Sequence, residues 1–200
     1  MIPSYDKSKR KKEYEQLPKG AYVVKIIDAK EEPNRNGSGT HLTILFDIAE
    51  GEYAGIYKRQ YDNNSNVDKK WPVDGTYYLN VPDDNSQQFA WDNWNSFFAD
   101  LEDSNNGFVF QGGDPRPLKG RLIGGKFRIE QRPYNDQIYE STRLHWTCVA
   151  DDVRNGKAGK LPNDKLVNAA PTLRSSYPKP APEGAFVNVP EGLDDELPFT

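Results

Sequence analysis

The sequence predicts a mainly β domain: a small five-stranded barrel with one helix between its third and fourth strands, and flexible tails at both ends. Three observations predict it. Sixteen glycines and fifteen prolines among 200 residues favour turns and strands over long helices. Several short runs alternate apolar with polar residues, the period of half-buried strands. One stretch, around Trp91, switches to helical spacing. Hydrophobic residues make up 36% of the chain, below the usual 45–50% or so, which is enough for one modest core.

The elements follow in order. Leu17-Pro18-Lys19-Gly20 turns into a first strand, AYVVKIIDA, in which Tyr22, Val24 and Ile26 share a face. Asn34 to Gly39 form a hairpin loop. Leu42, Ile44, Phe46 and Ile48 then alternate strictly, the cleanest strand signal in the chain. Glu50-Gly51 turns toward a third strand, expected over residues 55–63, which completes an antiparallel meander. After Pro82 the apolar spacing becomes helical: Trp91, Trp94, Phe97, Phe98 and Leu101 predict a helix of roughly four turns, its aromatics facing the core, with Asp84 and Gln87 as a capping pair. Two strands follow, over residues 122–131 and 137–149, around the turn Pro133-Tyr134-Asn135-Asp136. Ile138, Leu144, Trp146 and Cys148 have one parity and are assigned to the core. Three strands, a helix and two strands make up the element order of an OB-fold.

The chain divides into a basic mobile arm (1–16), the folded domain (17–152), an extension or linker rich in Gly, Pro, Asn and Ala (153–190), and an acidic tip (191–200). The net charge of -4 argues against nucleic acid until its distribution is read. Residues 178–200 carry one base against five acids, so the other 177 residues are neutral overall. Lys7 to Lys12 hold five bases and no acid, and Pro115 to Arg132 hold six bases against Glu130 alone. Asp83 to Asp103 hold six acids and no base. Blocks of this kind mark surfaces with different partners.

The surface that carries function is read from the non-core parity of the strands. In the expected third strand Tyr57, Arg59 and Tyr61 alternate as aromatic, base, aromatic. Single-stranded nucleic acid is held by that combination: rings stack bases and cations neutralise phosphates. Lys126 and Arg128 in the fourth strand, and Tyr139 and Arg143 in the fifth, extend it, as do Lys69, Lys70 and Trp71 in a loop. The same alternation also suits an ordinary solvated strand face, because tyrosine favours sheets.

The residues at the end of the chain point to a family. Asp194, Asp195, Glu196, Leu197, Pro198 and Phe199 resemble the acidic tip of bacterial single-stranded-DNA-binding proteins, and the resemblance implies docking of replication and repair proteins rather than DNA. Thr200 follows the phenylalanine, whereas in that family the phenylalanine is normally last and its carboxylate is read by the partner. The domain is similar to phage and prophage OB-fold single-stranded-DNA-binding proteins. The similarity lies in Leu17 to Tyr22, Phe46 to Gly55 and Lys119 to Gly124, and spans about residues 17–155. It implies a non-enzymatic protein that binds single-stranded DNA without strong sequence preference in phage-type replication, recombination or repair. Related proteins are monomers, dimers or tetramers, so homo-oligomers are within the expectation. The alternative is an OB-fold adaptor that binds proteins through both barrel and tail; a magnesium-dependent nuclease ranks third.

Other signals are discounted. Gly120 to Lys126 match a phosphate-binding loop in spacing, but Phe127 stands where Ser or Thr is needed. His41 and His145 have no thiol pair near them in sequence, so no metal or other cofactor is expected. Cys148 is the only cysteine, which rules out an internal disulfide framework and leads us to expect a reducing cytoplasm, the host's if the protein is phage-encoded. No run approaches about 20 apolar residues, so no membrane span is expected, and the first residues lack the apolar core of a secretory signal.

Overall fold

In the computed structural model, which describes Ser4, residues 15–135 and residues 137–167, the alternation at Leu42, Ile44, Phe46 and Ile48 becomes β2 (Thr40–Ile48) with all four side chains buried. β2 pairs antiparallel with β1 (Ala21–Pro33) on one side and β3 (Thr76–Asn80) on the other. Residues 21–25 of β1 pair with β4 (Leu122–Tyr134), and β4 pairs along its length with β5 (Gln137–Cys148). The product is one antiparallel five-stranded sheet in the order β3-β2-β1-β4-β5. A register shift between Ile26 and Asp28 interrupts the β1–β2 ladder; such bulges bend and twist a strand, here the one that serves both neighbours. Among the described residues no ladder joins β3 to β5, so the sheet is not closed into a barrel.

Among the described residues three α-helices accompany the sheet: α1 (Ile56–Asn63), α2 (Gln88–Ser104) and α3 (Ala150–Arg154). α2 lies between β3 and β4, as its spacing predicts. It buries Phe97, Phe98 and Leu101, and Phe97 stacks on Tyr77 of β3 at 6.1 Å. The expected capping pair is not used. Gln87 stands at the N-cap without a side-chain bond, and the neighbouring Asp83 carboxylate instead accepts the Asn85 N–H at 3.0 Å.

The third strand is the main correction. Residues 56–63 form α1, and the strand in that place is Thr76–Asn80. The helix has no local cap: Gly55 sits at its N-cap with φ 74 and no side-chain bond. Its first N–H groups are taken from a distance, by Asp47 of β2. Oδ1 accepts from Tyr57 at 3.0 Å and from Ile48 at 2.9 Å, and Oδ2 from Lys58 at 3.0 Å. Orphan N–H groups at a helix start need such acceptors, and a carboxylate also suits the positive end of the helix dipole.

In β5 a register shift falls between Lys126 and Phe127 of its partner. Trp146 pairs with Lys126, Leu144 with Phe127, and His145 is the extra residue. Parity therefore changes along the strand. Trp146 and Ile138, assigned to the core from sequence, are exposed, Trp146 at 46%, while Cys148 is buried. Trp91, likewise assigned to the core, is exposed on α2. Beyond α3 the chain returns along β4. Lys165 exchanges backbone bonds with Ile129 and Gln131, both at 2.9 Å, and Asp164 pairs with Lys19 at 2.9 Å.

Candidate nucleic-acid interface

Tyr57 lies in the core and not on a surface. It is 1% exposed, and its ring meets Phe46 edge-on at 5.6 Å. Gly75 allows this packing, since a Cβ there would stand 2.8 Å from Tyr57 Cγ and 2.7 Å from Trp71 Nε1. On a helix Tyr57 and Tyr61, four residues apart, share a face and Arg59 points away from it, so the aromatic–base–aromatic row does not exist. Arg59 turns back to the Ala54 carbonyl and pairs with Glu15 at 3.0 Å.

Tyr61, Trp71 and Lys69 do come together. The Trp71 indole N–H donates to the Gly75 carbonyl at 3.0 Å and to the Phe46 carbonyl at 3.2 Å, which fixes its ring. Tyr61 lies against it with centroids 5.7 Å apart, and the Lys69 ammonium stands 5.8 Å from the Tyr61 ring while donating to the Asp62 carbonyl at 3.2 Å. Lys70 is exposed beside them.

The 3-10 turn Val73–Gly75 connects this cluster to β5. Arg143 is only 9% exposed and pairs with Asp74 at 3.3 Å. Burial pushes the Asp74 carboxyl up, against the opposing pull of Arg143, Ser141 and Arg132. The cross-strand pairs Arg128 with Arg143, Glu130 with Ser141, and Arg132 with Tyr139 occupy alternate positions and so share one face. On that face Glu130 accepts from Arg128 at 2.7 Å and from Arg132 at 3.2 Å. Its burial acts to raise its pKa, but the two guanidinium groups outweigh this and hold it below the usual range. Arg128 also touches His145 at 3.2 Å, and burial first, then Arg128, pushes that imidazole's pKa down.

Toward the hairpin tip the face opens. Tyr139 is 52% and Tyr134 66% exposed, their rings meet at 6.0 Å, and Arg132 lies across from Tyr139. Sequence reasoning missed Arg132 and Tyr134 because residues 133–136 were read as a turn, whereas β4 runs through Tyr134. Their shared parity with Arg128 was the signal available. Lys126 has the parity of Arg128 on β4 but lies beyond the register shift, opposite Trp146, where its charge acts on Asp100 of α2 and on Cys148.

The site thus collects Tyr61, Lys69, Lys70, Trp71, Arg128, Tyr139 and Arg143 along the gap between β3 and β5, adds Arg132 and Tyr134, and leaves out Tyr57, Arg59 and Lys126. Among the described residues no group of three His, Cys, Asp or Glu could hold a metal ion. Burial pushes the Cys148 thiol up to about 11, which removes it as a nucleophile at neutral pH. No helix is long and apolar enough to cross a membrane among the described residues. Asp194, Asp195, Glu196, Leu197, Pro198 and Phe199, expected from the sequence to dock partners, lie outside the described residues. No known family model matches the chain, and no curated protein matches it.

Proposed function

We propose that this protein binds single-stranded DNA, without chemistry of its own, along the gap between β3 and β5, the two edges of an open, OB-type sheet, and recruits replication or recombination proteins through its acidic tip. The observation that carries the proposal is the gathering of two aromatic pairs with cations at the two ends of one surface. Tyr61 and Trp71 with Lys69 stand at one end, and Tyr134 and Tyr139 with Arg132 at the other. Flat rings beside cations suit bases and phosphates in any sequence. The OB reading is supported by a β1 that serves both β2 and β4 and by a helix between β3 and β4.

Replacing Tyr61 or Tyr139 by Ala removes one ring each. Stacking is worth about 1–3 kcal/mol per base, so each variant should bind a labelled dT30 roughly 5–150-fold more weakly. Unchanged affinity in both would reject this face. One observation favours the adaptor reading instead: Arg59, Arg128, Arg132 and Arg143 are each engaged by an acid of the same chain. Failure to bind any oligonucleotide at low salt would select it.

A further inference from the structure

One side of α2 faces a surface groove. Trp91, Trp94, Phe98 and Glu102 recur at steps of three and four residues and so share a helix face. Trp94, Phe98 and Glu102, with Phe110 and Gln111 from the loop that follows, wall a groove. Its apolar floor is made of packed rings: Phe98 and Phe110 stack at 4.1 Å with planes 9° apart, and Trp94 meets Phe98 at 4.7 Å. Glu102 fixes the loop by accepting the Phe110 N–H at 2.8 Å.

The segment that carries the groove is acidic. From Asp83 to Pro115 the chain holds seven acids and no base. Asp92 and Asp103 are exposed on α2, and among the described residues no cation forms an ion pair with Asp92, Asp103 or Glu102. An aromatic groove with Glu102 in its wall, on a helix whose Asp92 and Asp103 carboxylates are exposed, fits a segment with an apolar or aromatic anchor followed by bases.

One segment of this chain has that composition. Met1 to Lys12 presents Ile2 and Tyr5, then Lys7, Lys9, Arg10, Lys11 and Lys12 against Asp6 alone. Where the arm meets the body it is anchored: Glu15 pairs with Arg59 at 3.0 Å, and its carbonyl accepts from Gln60 at 2.8 Å. From Tyr5 to Glu15 is ten residues, about 33–36 Å when extended. A domain of this size has a radius of gyration of about 15 Å, so the arm is long enough to cross much of its own domain or to reach a second copy.

We propose that the α2 groove is the docking site of the amino-terminal arm of this chain, with Tyr5 or Ile2 on the Trp94–Phe98–Phe110 floor and the basic run against Asp92, Asp103 and Glu102. The inference is independent of DNA binding, and its test contains no DNA. A photo-crosslinking phenylalanine analogue replaces Tyr5 in the full chain, and the adducts are mapped by mass spectrometry. The expected adducts lie within residues 91–112. They fall at least about tenfold with D92K/D103K, fall equally with K9E/K11E/K12E, and return when both sets are combined. Mixing isotope-labelled with unlabelled protein separates adducts within one copy from those between copies, and either places the arm in the groove. Adducts confined to other parts of the chain, no adducts, or adducts indifferent to both charge reversals would overturn the proposal.

Discussion

Asp47 is the residue on which α1 depends, and its replacement by Ala is the sharpest test of the fold. Asp47 is 5% exposed and accepts three backbone N–H groups, two of them from the first turn of α1. A hydrogen bond to a charged acceptor contributes about 1.5–3 kcal/mol. Against the three bonds stands the cost of burying the carboxylate, which pushes its pKa up in spite of them. The net loss for D47A is therefore about 2–4 kcal/mol. A domain of this size loses roughly 2–4 °C of Tm per kcal/mol, so thermal unfolding followed by circular dichroism should shift down by about 5–15 °C. D47N keeps an oxygen for Ile48 and Tyr57 but turns an amide N–H toward Lys58, and should fall between the two. Because Tyr61 is carried by α1, D47A should also weaken DNA binding. A D47A protein melting within about 2 °C of the parent would refute the capping argument.

Other consequences are as specific. G75A places a Cβ 2.7 Å from Trp71 Nε1 and 2.8 Å from Tyr57 Cγ; overpacking of this kind costs about 1–3 kcal/mol, and a urea midpoint equal to the parent's would contradict it. Glu130 has its pKa lowered in the fold, so its contribution is complete above the ordinary carboxylate pKa near 4.5 and is lost as pH falls through the lower folded value. The stability of E130Q relative to the parent should therefore improve as pH falls through that window, and a pH-independent difference would count against the Arg128–Glu130–Arg132 arrangement. Deleting residues 191–200, which hold four of the tail's five acids, should tighten DNA binding at low salt. Equal affinity would exclude competition between the acidic tip and DNA.

The parts of the fold that could be read in the sequence were those whose stabilising contacts are local or periodic. β2 announces itself through four alternating apolar residues, and α2 through aromatics at helical spacing. The helix at residues 56–63 was hidden because its cap comes from Asp47, which no local pattern connects to it. The exposure of Trp146 was hidden by a bulge in the β4–β5 ladder, which no rule of alternation anticipates. The candidate site suffered in the same way. Lys69 and Trp71 were found in the loop where they stand, Tyr61 was found for residue type but placed on a strand instead of α1, and Tyr57 was lost to the core with the strand. Arg143 was found as a cation, but its partner Asp74 lies 69 positions away and removes it from the solvent-facing set.

The most direct measurement is the salt dependence of binding to single-stranded dT30, by fluorescence anisotropy, beside a duplex of equal length. Three cations of the face, Lys69, Lys70 and Arg132, face solvent. At about -0.7 per phosphate for single strands, the slope of log K against log salt should be about -2, with the single strand strongly preferred. A slope near -5 or steeper would mean that cations outside this face also contact the DNA. Equal affinity for strand and duplex, or binding to neither at low salt, would contradict the central claim.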